Sequence, residues 1–255
     1  MSRTIRRALA VAAALGLLGA ASAYAIEAEI GNTVVSATAA LTPRALPAHG
    51  GAPVTVKSSV RIGTVDHTQP PALKTIAFLF DKHGFIDTKG VPVCTMAKLA
   101  GTTPTQARQR CAGALVGTGT GKARVQMPGQ APVTISSPLS FFNAPPEGGN
   151  PTLIAHAYET VPSAQTLLVP IEIKRVKGPR YGFKVEIQMP AIAEGFGAAT
   201  LAEAAVGRTF KRAGKKVGYL NARCAGGRLQ VNGALRFANG DYFPATLVSA
   251  CHTPG

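Results

Sequence analysis

One stretch of the chain carries the side chains best suited to acid–base chemistry. His156 and Tyr158 stand two residues apart, so a β-strand would place them on one face, with Glu159 beside them on the other. An imidazole next to a phenol can act as general base or acid in a lyase or a hydrolase. A strand histidine with a hydrogen-bond partner is the commoner arrangement, and we predict no catalytic residue.

Two glycine-containing segments resemble ligand-binding loops but lack required positions. Residues 117–122 end in Gly-Lys, yet Val116 stands where a phosphate loop needs glycine, and Ala123 where it needs Ser or Thr. Residues 81–87 have Gly84 at the fourth position of a calcium loop instead of the sixth, and no glutamate closes the loop. We expect Gly84 to be left-handed in a hairpin turn. The five histidines show no metal-ligand spacing, so neither a metal site nor a cofactor is predicted.

The first twenty-five residues predict export. Arginines at positions 3, 6 and 7 precede an apolar run over 8–21, and Ala23-Tyr24-Ala25 supplies the small residues read by a signal peptidase. We expect cleavage after Ala25; an uncleaved N-terminal anchor is the alternative. The paired Arg6 and Arg7 leave the choice between the general and the twin-arginine export route open. No later apolar run reaches about 18 residues, so no transmembrane segment is expected after cleavage.

The chain is strongly basic, with 27 Lys and Arg against 12 Asp and Glu. Such a surplus favours anionic partners, here cell-envelope polymers, because an exported protein does not meet nucleic acid. The alternative is that the charge only maintains solubility. One predicted hairpin tip concentrates the candidate polyanion-binding side chains, which are Arg208, Lys211, Arg212, Lys215 and Lys216. A solvated tip without a partner would show the same pattern.

All four cysteines lie in the predicted mature part. An even number in an exported chain indicates two disulfides, and four cysteines allow three pairings. We favour Cys94–Cys111 and Cys224–Cys251, because each of these pairs brackets a compact local unit. The absence of a Cys-x-x-Cys pattern disfavours a zinc ribbon or a redox site.

Alternation of apolar and polar residues predicts strands along most of the chain. Residues 53–62, 115–127, 167–174 and 183–189 alternate with period two, which is typical of antiparallel sheets with one wet face. In residues 117–121, three glycines fall on the core-facing side, where they would make room for a large neighbour or permit a bend. Residues 201–206 are ambiguous between helix and strand, and we predict a strand.

Two local signals refine this pattern. Thr103-Pro104-Thr105-Gln106 is a capping-box sequence with proline at the first helical position, which predicts a short helix ending near Cys111. Asn239-Gly240 predicts a hairpin with a two-residue loop, which would place Leu235 opposite Pro244.

Four blocks resemble a known family: Gln69–Lys74, Phe80–Cys94, Cys111–Gly119 and Tyr219–Cys224. The chain is similar, over most of residues 30–251, to a family of exported, signal-peptide-bearing actinobacterial proteins. The resemblance implies an exported bacterial protein with this cysteine arrangement. That family has no assigned function, so the resemblance assigns no role to any residue.

We therefore expect a signal peptide at 1–25 and a single domain at 26–255. The domain is predicted to be an all-β sandwich of two antiparallel sheets, with one short helical excursion held by a disulfide. The expected function is non-catalytic: a secreted or cell-envelope structural or binding protein contacting anionic envelope polymers. The alternative is an enzyme, a lyase or hydrolase, acting on polyanionic glycans. The sequence specifies neither the ligand nor the oligomeric state.

The exported protein should begin at Ile26 and contain no free thiol. Intact mass measured before and after alkylation, without reduction, tests both statements. A mass that retains residues 1–25 would contradict the cleavage site, and any alkylated cysteine would contradict the two disulfides.

Overall fold

The computed structural model describes residues 24–254. The predicted signal peptide lies outside the described residues, except for its last two, which begin the first strand. No helix within residues 24–254 is long and apolar enough to span a membrane.

Strands make up most of the described chain, as the alternation predicts. They are β1 (Tyr24–Ile30), β2 (Thr33–Thr42), β3 (Ala52–Pro53), β4 (Thr55–Thr64), β5 (Leu73–Asp81), β6 (Gly84–Ile86), β7 (Leu115–Val125), β8 (Val133–Glu147), β9 (Asn150–Glu159), β10 (Gln165–Arg175), β11 (Tyr181–Gln188), β12 (Gly197–Val206), β13 (Thr209–Arg212), β14 (Lys215–Gly218), β15 (Leu220–Ala222), β16 (Arg228–Phe237) and β17 (Tyr242–Ala250). The helices are α1 (Met96–Leu99) and α2 (Pro104–Arg110), with 3₁₀ turns at Ala112–Ala114 and Ala193–Gly195.

Twelve strands form one antiparallel sheet in the order β1-β2-β4-β12-β7-β8-β9-β10-β11-β5-β16-β17. The sheet curls until β17 lies against β1 and β2, so it is nearly closed. The shortest pairing in it joins β10 to β11, where Ile173–Arg175 face Phe183–Val185. The all-β prediction is confirmed. Two separate sheets packed face to face are not confirmed, because hydrogen bonding is continuous from β1 to β17.

The curled sheet has two distinct ends. The end with the β1–β2, β9–β10 and β16–β17 turns is called the hairpin end, and the opposite end, with both cystines, is called the disulfide end. Alternation sorts side chains between interior and solvent, as β10 illustrates. Ile171 and Ile173 face the interior, whereas Glu172 and Lys174 face outward and form an ion pair at 3.1 Å.

The last hairpin forms with a register one residue away from the prediction. Leu235 lies opposite Phe243, not Pro244. The loop has three residues, 238–240, and the Gly240 amide donates to the Phe237 carbonyl at 3.2 Å. Of these three loop residues, only Gly240 has a positive φ, of 94°. A one-residue slip moves side chains to the other face of a strand. Phe243 is consequently buried inside, and Tyr242 is exposed.

The glycines of β7 let the neighbouring strand approach closely. Residues 201–206 form part of strand β12, as predicted, and this strand pairs with β7. A Cβ on Gly119 would overlap the Glu203 carbonyl oxygen, and one on Gly117 would lie 2.8 Å from the Ala205 carbonyl oxygen. These glycines therefore make room for the backbone of β12, not for an aromatic ring.

The disulfide end carries the predicted helical excursion. Thr103 and Gln106 form the expected capping box at the start of α2, and Cys94 is bonded to Cys111 with Cα atoms 5.7 Å apart. Helix α1 was not predicted. Leu99 and Ala107 of these helices pack on Phe142 and Ile154, so the excursion covers the outer face of β8 and β9.

The second predicted disulfide and a small sheet close the same end. Cys224 is bonded to Cys251, again with Cα atoms 5.7 Å apart, and both pack with Leu46, Val54 and Leu229. Strands β3, β15 and β6 form a three-stranded sheet beside this cluster.

Gly119→Ala should destabilise the protein by about 2–3 kcal/mol, because the new methyl group collides with backbone that cannot rotate away. Gly121→Ala is the matched control on the same strand face, since its Cβ would meet only the Leu139 side chain, at 3.5 Å. Chemical denaturation measures both free energies of unfolding. Equal losses in the two variants would contradict the close approach of β12.

Candidate functional site

The histidine with the best prospects for acid–base chemistry is buried beneath the helical excursion. His156 has no exposed surface, and its Nε2 lies 3.0 Å from both the hydroxyl and the carbonyl oxygen of Thr102. The carbonyl can only accept, so Nε2 carries the proton, while Nδ1 has no partner among the described residues. Burial lowers the pKa of His156, which favours the neutral ring. This side chain joins β9 to the loop between α1 and α2.

Among the described residues, neither Tyr158 nor Glu159 hydrogen-bonds to the His156 ring. The Tyr158 amide donates to the Ser137 hydroxyl at 2.8 Å. The Glu159 carboxylate accepts from Gln165 at 2.7 Å and from the Ala193 amide at 3.2 Å, so it holds the β11–β12 connection against β9. A groove of about 600 Å³ on the outer wall contains Arg108 and Lys57 but neither His156 nor Tyr158.

The segment that resembles a calcium loop is an ionic junction between strands. Asp81 is buried and lies 3.0 Å from Arg180 and 2.8 Å from Nδ1 of His83, and it accepts from the Gln230 amide at 3.1 Å. Gly84 does not take a positive φ, which corrects the predicted left-handed turn, because an Asp81 oxygen accepts from the His83 amide at 3.1 Å and turns the chain first. Within residues 24–254 no three His, Cys, Asp or Glu side chains cluster as metal ligands.

The predicted basic tip is the β13–β14 hairpin, and two of its five side chains are used internally. Arg208 donates to the carbonyl oxygens of residues 112, 113 and 115 at 2.7–3.1 Å. Arg212 binds both carboxylate oxygens of Asp87, at 3.1 and 2.6 Å, and this contact lowers the pKa of Asp87. Both arginines fasten the hairpin to the chain around the first disulfide.

The remaining lysines of the tip are exposed and face other cations. Lys211 pairs across the ladder with Lys216, and Lys215 pairs with Arg212. No acidic side chain within the described chain forms an ion pair with these three lysines. Like charges directly opposite each other on a ladder repel, and an anionic partner would relieve this repulsion.

The interior of the curled sheet holds a feature that sequence reasoning missed, a cavity of about 340 Å³. Strands β5, β8 and β11 contribute aromatic rings to its wall, namely Phe78, Phe80, Phe141 and Phe183. Strands β1, β2, β12 and β17 contribute small side chains, namely Ala28, Ala37, Ala39, Ala204 and Ala245. All four of these phenylalanines are only partly buried although they point inward, because they face space that no side chain fills.

The chemistry of the cavity is almost entirely apolar. Polar side chains reach its lining only as Thr38, Ser58, Asp81, Asn221 and Gln230. Asp81 already forms an ion pair with Arg180, and Asn221 donates to the Gly218 carbonyl at 2.6 Å. A space with this lining can hold an apolar ligand.

The sequence did contain a signal for this space. Inward positions on several predicted strands carry alanine or glycine, as at Ala37, Ala204 and Gly233, which cannot fill a wide closed sheet. These small residues did not predict a cavity, because alternation does not specify the order of the strands. Without the strand order, it is not known which inward faces lie opposite each other.

Comparison of the chain with known protein families, with curated proteins and with solved structures finds no match. Function must therefore be argued from the geometry of this chain.

Lowering the pH should destabilise the protein through His156 before the carboxylates titrate. Its folded pKa lies below the usual value of about 6.5, so its contribution is complete above that pH and is lost as the pH falls. At pH 5.5 the loss is at most about 1.4 kcal/mol, since one pH unit below the unfolded pKa corresponds to that free energy. His156→Gln, less stable at pH 7.5, should lose less between pH 7.5 and 5.5 in denaturant titrations; equal losses would contradict a buried neutral ring.

Proposed function

We propose that this protein is an exported, non-catalytic binding protein that holds an apolar ligand inside its curled sheet. The observation that carries the proposal is the cavity of about 340 Å³, with phenylalanines on one side and alanines on the other. Its volume falls at the lower end of the range for small-molecule sites, about 300–1,000 Å³. A ligand there would cover apolar surface that the protein's own side chains leave uncovered.

The arrangement of the cavity wall favours a ligand-binding site as the explanation of the space, in preference to a packing defect. A void costs free energy in proportion to its volume, about 24 cal/mol per Å³ in measured cases, and larger inward side chains would remove it. Alanines instead recur on adjacent strands, at Ala28, Ala37 and Ala39, so the space is continuous. A bound apolar ligand recovers this cost because its burial is favourable.

The proposal includes export, so that the protein acts outside the cytoplasm as a secreted or cell-envelope protein. Two cystines are typical of oxidising compartments, and residues 1–25 have the composition of a signal peptide.

A second candidate function, contact with anionic cell-envelope polymers, is favoured by the uncompensated lysines of the β13–β14 hairpin. Lys211 and Lys216 face each other with no ion-pair partner in the described chain. Such a contact would hold a ligand-binding protein near the envelope without involving its interior.

Hexadecanoic acid should bind the mature protein, and Ala37→Phe should weaken binding. Each buried methylene contributes about 0.8 kcal/mol, so losing room for two of them weakens binding about tenfold. The matched control is Ser36→Phe, on the outer face of the same strand. Isothermal titration calorimetry measures both. No binding, or equal weakening by both variants, would contradict the interior site.

Replacing Lys211 and Lys216 by Gln should reduce retention on an anionic polymer such as teichoic acid, most strongly at low salt, because exposed charges are screened within about 10 Å at 0.1 M. The matched control is Lys174→Gln with Lys184→Gln. These lysines also pair across a ladder, but each lies within 3.1 Å of a glutamate. Equal retention of both variants would contradict polymer binding by the β13–β14 hairpin and would indicate a solvated tip without a partner.

A further inference from the structure

We propose that the ligand is a single-chain amphiphile that enters sideways between β1 and β17, with its chain in the cavity and its head outside. This inference rests on the proposed apolar-ligand function and adds the class of ligand and the path by which it enters. A ligand can enter only where the cavity wall is not covered by packed side chains or paired strands.

Both ends of the curled sheet are packed. At the hairpin end, Leu73, Phe237 and Phe243 pack against Val35 and Ile62 from the opposite wall. The Thr33 hydroxyl also donates to Asp241 at 2.7 Å, which ties β2 to the β16–β17 turn. A ligand cannot pass this end without disrupting that cluster.

The disulfide end is covered by packed elements, of which the Phe85 ring is exposed to solvent. The second disulfide and its apolar neighbours lie there, together with the small sheet β3-β15-β6, and Phe85, Leu220 and Ala222 of that sheet line the cavity. The rings and backbone are tightly placed, since a Cβ on Gly51 would lie 2.5 Å from the Phe85 ring.

The wall itself has one interrupted junction that the cavity reaches. Strands β1 and β17 are the two edges of the sheet, and no ladder hydrogen bonds join them within residues 24–254. Ile26 of β1 and Leu247 of β17 both line the cavity. So do Thr38 and Pro244, together with Gln230 and Ala234 of β16, although strand alternation points these four side chains outward. The cavity therefore extends through the wall beside β1 and β17.

The other weak junction, between β10 and β11, does not open in this way. Only inward-facing residues of those strands line the cavity, namely Ile171, Ile173, Phe183, Val185 and Ile187. The seam between β1 and β17 is consequently the path that the lining supports.

A proline removes one hydrogen-bond donor from this seam. Pro244 lies opposite Ala234 in the β16–β17 ladder. Because proline has no N–H, this pair is one that makes no ladder bonds to β16, and the proline nitrogen faces the free edge toward β1. The position where an amide would reach across the seam therefore has no donor.

The size and polarity of the space select the class of ligand. About 340 Å³ of nearly uncharged space suits one flexible chain better than the paired chains of a bilayer lipid. A side entrance allows a head of any size to stay outside, where exposed Glu27 and Glu29 of β1 lie in solvent. A sealed interior would admit only ligands small enough to be enclosed completely.

Two measurements on the mature protein test the inference. The first compares hexadecanoic acid with a poly(ethylene glycol) monohexadecyl ether, whose polymer head is too large to be enclosed. We expect both to bind with similar affinity, and shorter chains to bind about fourfold more weakly for each methylene removed. A diacyl phospholipid should bind far more weakly than either probe.

The second measurement is the ligand dissociation rate of Pro244→Val, which restores an amide donor at the seam. Closing one backbone hydrogen bond should slow release by about fivefold. The matched control is Pro170→Val, an exposed strand proline that does not line the cavity, and it should release ligand at the wild-type rate.

The outcomes separate the two proposals. If no chain binds, the proposed function fails, and this inference fails with it. If hexadecanoic acid binds but the polymer-headed probe does not, the cavity binds ligand and the sideways entrance is wrong. If Pro244→Val does not fold, the polymer-headed probe still decides. Binding of the polymer-headed probe with release unchanged in Pro244→Val would overturn the role of the seam.

Discussion

Twelve paired strands enclose more space than the side chains on their inner face can fill, and most of the structure follows from this constraint. The backbone ladders set the circumference, so the interior can be filled only by large inward residues or by a ligand. Phenylalanines occupy one side, at Phe78, Phe141 and Phe183, while alanines such as Ala37 and Ala204 occupy the other. The result is a cavity in place of a continuous core.

The remaining features cover the two ends of that space. Apolar clusters pack each end, and the Cys224–Cys251 disulfide lies in the cluster at the disulfide end. The first disulfide and its helices cover the outer face of β8 and β9, where His156 is buried as a neutral link to Thr102. His156, Tyr158 and Glu159 thus belong to one strand of the sheet wall, and the basic hairpin lies outside the sheet.

Local rules predicted much of the fold, and long-range closure explains what they missed. Strand alternation, the capping box at Thr103 and both cystines followed from the sequence, because each depends on residues close in the chain. The register at Phe243 was wrong by one residue, since Asn239-Gly240 fits loops of two and three residues alike. The cavity depends on which strands face each other across the interior, and nothing within one strand specifies that. In the predicted basic cluster, Arg208 and Arg212 are fixed by contacts with residues 95 and 125 positions away in the sequence. The spacing of the basic residues could not show such contacts.

The central claim is that one apolar chain occupies the interior of the sheet. A crystal structure with a hexadecanoic acid brominated at its terminal carbon tests it directly, because anomalous scattering locates the bromine. The account predicts a single bromine inside the sheet, within contact distance of Phe78 or Phe183, with the carboxylate at the β1–β17 seam. A bromine on the outer surface, or an interior filled by rearranged side chains, would contradict the account.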